Sequence, residues 1–316
     1  MSALVTGVAG FIGSHLAEVL VARGEDVIGV DSFLDYYPRE LKEANLSSLA
    51  GSPRFTLIEG PIQEMDLAPL LERVRVVYHL AAQAGVRASW GRDFSIYTDN
   101  NILATQRLLE AAIHSPPEAF VYASSSSVYG DVKELPMTES SPLRPVSPYG
   151  VSKLAVENLC YLYSTNHRLP TVGLRYFTVY GPRQRPDMAF HRLFRAARDG
   201  EEFHVYGDGL QTRDFTYVSD AVEATLAAAK DGPAGSVYNV GGGARVSLLD
   251  VIREIEDITG SKVRVRREPS QKGDMRDTYA DTTAARRDLG YRPRVTLREG
   301  LKAEWAWLTG KAHAGA

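Results

Sequence analysis

The 316 residues comprise 44% apolar, 24% charged and 9% aromatic side chains, the composition of a soluble globular protein. That balance excludes a disordered, collagen-like or disulfide-stapled chain, and the length suffices for one large domain or two unequal ones. Thirty-six basic residues against 39 acidic ones leave a net charge of -3, so no overall basic excess points to nucleic acid or an anionic membrane.

In chain order, short β-branched or apolar runs alternate with helical patterns. Residues 3–6, 26–30, 54–58, 75–80, 119–123 and 171–176 read as strands. Residues 10–23, a weaker piece around 64–72, 96–114 and 148–166 read as helices. Such alternation predicts a parallel sheet with helices on both faces, a doubly wound α/β fold. Beyond Tyr176 the rhythm loosens, broken by Pro182, Pro186, Gly200, Gly207, Gly209, Pro233 and Gly241-Gly242-Gly243. Helices are expected at 189–199, 218–229, 248–259 and 297–308, within a smaller C-terminal lobe. The division falls at 1–176 and 177–316. No linker composition separates the lobes, so the chain is expected to cross between them.

Thr6-Gly7-Val8-Ala9-Gly10-Phe11-Ile12-Gly13 joins the first strand to the first helix. Gly7, Gly10 and Gly13 permit a tight turn, close approach of a pyrophosphate, and packing of helix on strand. The G-x-x-G-x-x-G spacing is weak by itself, since an ordinary strand-to-helix turn would also use it. Asp31 strengthens it, ending the second strand roughly 20 residues later. A carboxylate there accepts from ribose hydroxyls and repels a 2′-phosphate, which favours NAD over NADP.

Ser147-Pro148-Tyr149-Gly150-Val151-Ser152-Lys153 places Tyr149 and Lys153 four apart at a helix start, on one face. A free tyrosine, with its pKa of ~10, is a poor base at neutral pH. A neighbouring ammonium and a positive nicotinamide ring would favour the phenolate. Alone, the pair could equally be an exposed helix pair. It is joined by Ala123-Ser124-Ser125-Ser126-Ser127-Val128-Tyr129-Gly130 at the carboxyl end of the fifth strand, where doubly wound sheets bind ligands.

With these segments, His79-Leu80-Ala81-Ala82-Gln83-Ala84-Gly85-Val86-Arg87 and Gln211-Thr212-Arg213-Asp214-Phe215 complete a set that resembles the extended short-chain dehydrogenase/reductases acting on nucleotide sugars. The likeness spans Thr6 to about Tyr291. It implies a Rossmann domain holding NAD, a lobe holding a nucleoside-diphosphate sugar, and transient oxidation at C4. It also implies Tyr149 as base, Lys153 as its orienter, and Ser125 as partner of the sugar hydroxyl. For the cofactor it adds Phe11, Ile12, Ile62, Leu80, Ala81, Ala82, Gln83 and Asn100. Where relatives have an acidic adenine ligand, this chain has Gly60-Pro61-Ile62. Proline offers neither a side-chain acceptor nor an N–H, so adenine must rely on backbone groups or Gln63.

Two positions discriminate among reactions. Dehydratases of this family have an acidic pair where Ser126 and Ser127 stand, and elimination needs such groups. Glucose/galactose epimerases differ at Thr178, where they have asparagine. The run Phe177-Thr178-Val179-Tyr180-Gly181-Pro182, followed by Arg185-Pro186-Asp187-Met188-Ala189, is similar to UDP-glucuronate 4-epimerases. A C6 carboxylate wants a guanidinium and hydroxyl donors, which Arg185, Thr178, Ser126 and Ser127 would supply. UDP-glucose 4-epimerase is the close alternative; a UDP-glucuronate decarboxylase or a reductase with exchanging cofactor is more remote.

Only eight of the 36 cations are Lys and 28 are Arg. Coding bias explains most of that excess, but Arg213 and Arg276 are expected on the diphosphate by resemblance. Arg87 is a candidate substrate contact, and Tyr206 a uracil platform or a core aromatic. Cys160 is the single cysteine, which excludes an intramolecular disulfide. None of His15, His79, His167, His191 or His204 has a metal-like companion, so no metal is expected. No apolar run is long enough to span a membrane and the chain opens directly on a strand, so a cytoplasmic enzyme is expected. Helices 96–114 and 148–166 resemble the pair through which this family forms homodimers.

Overall fold

The computed structural model describes residues 2–271 and 273–310. One sheet contains β1 (Ser2–Thr6), β2 (Asp26–Asp31), β3 (Phe55–Glu59), β4 (Val76–His79), β5 (Ala119–Ser125), β6 (Thr171–Tyr176) and β7 (Ser236–Val240). Its spatial order is β7-β6-β5-β4-β1-β2-β3. Every neighbouring pair is parallel. Parallel strands need crossover helices, and those helices cover both faces. Continuous apolar runs such as Ala3-Leu4-Val5 are therefore fully buried rather than alternating.

Four helices supply the cover: α1 (Phe11–Ala22), α2 (Ala104–His114), α3 (Pro148–His167) and α4 (Val218–Asp231). On one face Leu16, Ala17 and Leu20 of α1 meet Ala221, Val222 and Ala224 of α4. On the other, Leu108, Leu109 and Ala112 of α2 pack with Val156 and Cys160 of α3. Cys160 is fully buried there.

The expected strands and the long helices appear at their expected places. Two details differ. The helix expected at 96–114 starts at Phe94 and passes through a wide π turn, Thr98–Leu103, before α2. The weak 64–72 piece reduces to Ala68–Leu71, because only Leu71 of its four residues reaches the core. Further along, helices Ala189–Asp199, Leu248–Thr259 and Leu297–Leu308 enclose a separate cluster built on Phe190, Phe194, Ile255 and Leu301. Arg264, Arg266 and Arg267 are exposed on a short strand paired with Glu202–Tyr206. No described helix is long and apolar enough to cross a membrane.

β7 returns to the sheet from beyond Tyr176, and a buried polar network fastens it. Arg175 on β6 donates Nε and Nη2 to the two carboxylate oxygens of Glu157 on α3, at 2.9 and 2.7 Å. Its Nη1 reaches the Tyr129 hydroxyl at 2.8 Å and the Glu139 carbonyl at 3.1 Å. Tyr129 in turn donates to Asn239 of β7 at 2.7 Å. Both charged side chains are about 5% exposed. Removing one partner of such a pair strands the other charge in a dry interior. Glu157→Gln is therefore expected to destabilise the fold by about 3 kcal/mol, read as a lower urea midpoint.

Candidate active site

The strand order reverses between β1 and β4, and a cleft of about 750 Å³ opens at the carboxyl ends of the strands there. The glycine turn forms one wall. Gly7 has φ of +70°, and a Cβ on it would sit 2.8 Å from Ala81 Cα. A Cβ on Gly13 would lie 2.2 Å from the Gly7 carbonyl oxygen, so α1 can seat on the turn only without a side chain. Gly10 is the N-cap of α1 and gives no side-chain hydrogen bond. The free N–H groups and positive dipole end of α1 therefore suit an anion.

At the end of β2 the two Asp31 oxygens accept from the Ala9 and Phe33 N–H groups, at 3.0 and 2.9 Å. Burial pushes its carboxyl pKa up, and the two backbone donors and Lys42 pull it back. Each oxygen keeps a lone pair for a hydroxyl. Phe11, Ile12, Ile62, Leu80, Ala81, Ala82, Gln83 and Asn100 line the same half of the cleft, together with Pro61 and Gln63. The Asn100 amide donates back to the Ile96 carbonyl. Its neighbour Asn101 is the buried one. It accepts from Gln83 N–H at 2.7 Å and donates to Ser152 on α3 at 2.9 Å. Asn101 thus ties the loop after β4 to the Tyr149 helix. Only the π turn puts it there, and nothing in the sequence signals that turn.

The Ser147 hydroxyl caps α3, accepting from Gly150 N–H at 3.1 Å, and Pro148 opens the first turn. Tyr149 and Lys153 follow on that turn and the next, both facing the cleft. Burial raises the Tyr149 phenol above its ordinary pKa, while the Ser125 hydroxyl and the Arg185 cation lower it. Lys153 is buried and donates Nζ to the Ala123 carbonyl at 2.9 Å. Burial pushes its pKa down to about 8, and Glu157 one helical turn on opposes that shift. Arg185 is thus a cation that favours the phenolate in the protein alone.

Ser126, Ser127 and Thr178 also line the cleft, the two serines buried. Arg185 lies among them, its fork on Asp187 at 2.9 and 3.0 Å. Toward the far end, Arg87 pairs with Asp274 at 2.7 Å and lies over the Tyr206 ring at 4.1 Å. Arg213 donates to the Thr212, Met275 and Arg276 carbonyls and forms no ion pair with a described carboxylate. Arg276 departs from expectation. Its guanidinium is exposed, forks onto Asp208 at 2.7 and 2.9 Å, and does not line the cleft. The acidic neighbour two residues beyond the 202–206 strand captured it. Sequence reasoning also missed Lys42, which is buried beside Asp31 and stacks over Tyr37 at 4.8 Å. Within Arg39-Glu40-Leu41-Lys42-Glu43 it reads as a solvated charge.

The family model for NAD-dependent epimerases and dehydratases matches residues 3–241. The chain belongs to the NAD-dependent epimerase/dehydratase family. It is 46% identical to the UDP-glucuronic acid 4-epimerase from Bacillus cereus, whose crystal structure contains UDP-glucuronic acid and NAD. That match covers 98% of this chain and 99% of that one, with a TM-score of 0.95. Over 311 residues it is 47% identical to an uncharacterized UDP-glucose epimerase, YtcB, of Bacillus subtilis (strain 168), covering 98% of each chain. It is 37% identical to a UDP-glucuronate 4-epimerase of Thermodesulfobacterium geofontis (strain OPF15), covering 96% of this chain and 95% of that one.

The residues present fit the NAD that this family uses. Gly13 leaves α1 free to seat its N-terminus against a pyrophosphate, and Asp31 disfavours an extra phosphate on the ribose. Lys153 is held in this site at a cost in stability. With its pKa pushed from the ordinary lysine value to about 8, the protonated form is disfavoured in the fold. Below pH 8 the folded protein carries that penalty in full, and it fades as pH rises toward the unfolded-state value. Lys153→Met is expected to raise the stability at pH 7 by up to about 3 kcal/mol, read as a higher urea midpoint, with a smaller gain at pH 9. The same variant is expected to lose catalysis, which a turnover assay checks.

Proposed function

We propose that the protein interconverts UDP-glucuronate and UDP-galacturonate by inverting C4 through a 4-keto sugar. The observation that carries this reading is the surrounding of Tyr149. A hydroxyl from Ser125 and a cation from Arg185 act on the phenol, in a cleft otherwise poor in acids. The carboxylates lining the cleft among the described residues are Asp31, Asp187 and Asp274. The first accepts backbone N–H groups and the others are paired with Arg185 and Arg87. None is a free acid suited to elimination, which argues against a dehydratase. The uronate named in the B. cereus structure supports the substrate class.

In this reading Tyr149 takes the C4 hydroxyl proton and later returns it, while Ser125 hydrogen-bonds the same oxygen. Bound NAD supplies the redox partner that accepts and returns the C4 hydrogen with its two electrons. Lys153, anchored on the Ala123 carbonyl, presents its ammonium to the ribose and the phenol. Arg213 binds the diphosphate, with Tyr206 and Arg87 beside the nucleoside. Oxidation at C4 turns C6 into the carboxyl of a β-keto acid, which loses carbon dioxide when the C5–C6 bond stands perpendicular to the ketone. Arg185, Thr178, Ser126 and Ser127 hold the carboxylate off that orientation.

The name of the B. subtilis relative favours a second reading, UDP-glucose 4-epimerase. A neutral C6 hydroxyl gains less from Arg185 than a carboxylate does, so the uronate is preferred. We place the enzyme in the cytoplasm, as a homodimer, with its cofactor and sugar-nucleotide lobes divided near Tyr176. Ile96, Leu103, Val151, Tyr161 and Leu162 expose an apolar face along helices 94–114 and 148–167, which supports the dimer. Leu162→Glu is expected to yield monomers by sedimentation, whereas the parent sediments as a dimer.

The deciding experiment incubates the purified protein with UDP-glucuronate without added NAD and follows the sugar by NMR. UDP-galacturonate is the expected product, and Tyr149→Phe is expected to abolish it. UDP-xylose or a 4-keto pentose would refute the assignment. Arg185→Ala is expected to lower the affinity ratio of UDP-glucuronate over UDP-glucose about tenfold or more; an unchanged ratio removes Arg185 from carboxylate binding.

A further inference from the structure

Asp187 is the cleft acid that accepts the most described side-chain hydrogen bonds, and the proposed chemistry gives it no step. Its oxygens take Nε and Nη2 of Arg185 in a side-on fork. A guanidinium has five N–H donors, so this fork leaves Nη1 without a described protein partner, in a residue that lines the cleft. Asp187 also accepts the Tyr36 hydroxyl at 3.2 Å, and the Arg185 guanidinium lies 5.8 Å from the Tyr36 ring centroid. Tyr36 belongs to the segment that follows Asp31, the last residue of β2. Its hydroxyl sits so close over Gly85 that a Cβ there would be 2.3 Å away.

The stretch carrying Arg185 and Asp187 is fixed as well. Arg183 adopts φ of +67°, a conformation a non-glycine residue keeps only when its surroundings enforce it. Arg183 Nη2 reaches Glu18 at 2.6 Å and Nη1 reaches Ser14 at 3.3 Å, both on α1. His15, also on α1, bonds the Pro182 carbonyl at 2.9 Å. The stretch carrying Arg185 is thus pinned to the cofactor helix on one side and to Tyr36 on the other.

We propose that Asp187 is the positioning residue for the uronate end of the substrate. It holds Arg185 by one edge so that the Nη1 edge is presented to the C6 carboxylate beside Tyr149. Through Tyr36 it locks that orientation to the cofactor half of the cleft. The proposal rests on the uronate reading above. It differs from simple competition, in which Asp187 would occupy the guanidinium at the substrate's expense.

The test compares Asp187→Ala, Asp187→Asn and Tyr36→Phe with the parent enzyme holding its NAD. Two quantities are read for each: the affinity ratio of UDP-glucuronate over UDP-glucose, and the carbon dioxide released per epimerisation. Asp187 is more than a third exposed, so its loss leaves the core intact. Asp187→Ala is expected to lower the affinity ratio about tenfold and raise the carbon dioxide fraction at least fivefold, because a loose Arg185 no longer restrains the carboxylate. Asp187→Asn keeps one acceptor oxygen and is expected to fall between, and Tyr36→Phe to shift both quantities less in the same direction. A raised affinity ratio in Asp187→Ala identifies a competitor and overturns the proposal, as do unchanged values. A parent enzyme that fails to convert UDP-glucuronate overturns the uronate reading and this proposal together. If the parent converts it and the variants match the parent, the positioning role alone falls.

Discussion

The ion pair between Glu157 and Arg175 is the interaction on which the catalytic end of the sheet depends. It joins α3, which carries Tyr149 and Lys153, to β6, and through Tyr129 and Asn239 to the returning strand β7. Glu157 also accepts the Ser124 hydroxyl, next to Ser125 in β5. One carboxylate thereby sets the distance between the helix that supplies the base and the strand that supplies its partner. Replacing such a pair by apolar side chains often costs little stability, so position is the better reason for its burial. Lys153 lies one turn away, and Glu157 is among the charges that favour its protonated form.

The site gives up stability to hold this arrangement. Tyr149 is raised by burial and Lys153 is lowered by it, shifts that both oppose their charged forms. In the protein alone, the phenol is therefore protonated at neutral pH. A base of this kind becomes competent when a positive ring and a substrate replace water around it, so the chemistry waits for both to be bound. The strained backbone at Arg183 belongs to the same account, since it aims the Arg185 segment.

Much of this was legible in the sequence because it follows from period and spacing. Buried parallel strands are continuous apolar runs, Gly7 and Gly13 answer a steric demand, and i,i+4 spacing puts Tyr149 and Lys153 on one face. Less legible were features set by contacts between distant segments. Asn101 rather than Asn100 turns into the core because a π turn shifts the phase of the helix. Lys42, on the short helix Arg39–Asn45, is buried because its Nζ turns back onto the Leu34 carbonyl, although its helix is mostly charged and polar. Arg276 was placed in the cleft by motif, yet Asp208 draws its side chain onto the surface. A motif fixes where the backbone runs; a long side chain then goes to the nearest unpaired charge.

That last point sorts the arginines around the cleft into two kinds. Arg87, Arg185 and Arg276 each hold a carboxylate partner, so each is oriented before any ligand arrives. Arg213 donates to backbone carbonyls alone, and burial works against its charge. Carbonyls satisfy its N–H groups without cancelling the cation, so it enters no described ion pair. A diphosphate gains from such a group, because the guanidinium is held in place, desolvated and bonded to no described carboxylate. A sugar carboxylate needs discrimination more than attraction, and a guanidinium already steered by Asp187 offers direction. The two ends of the substrate thus meet two differently prepared arginines, one kept charged for affinity and one held in line for geometry.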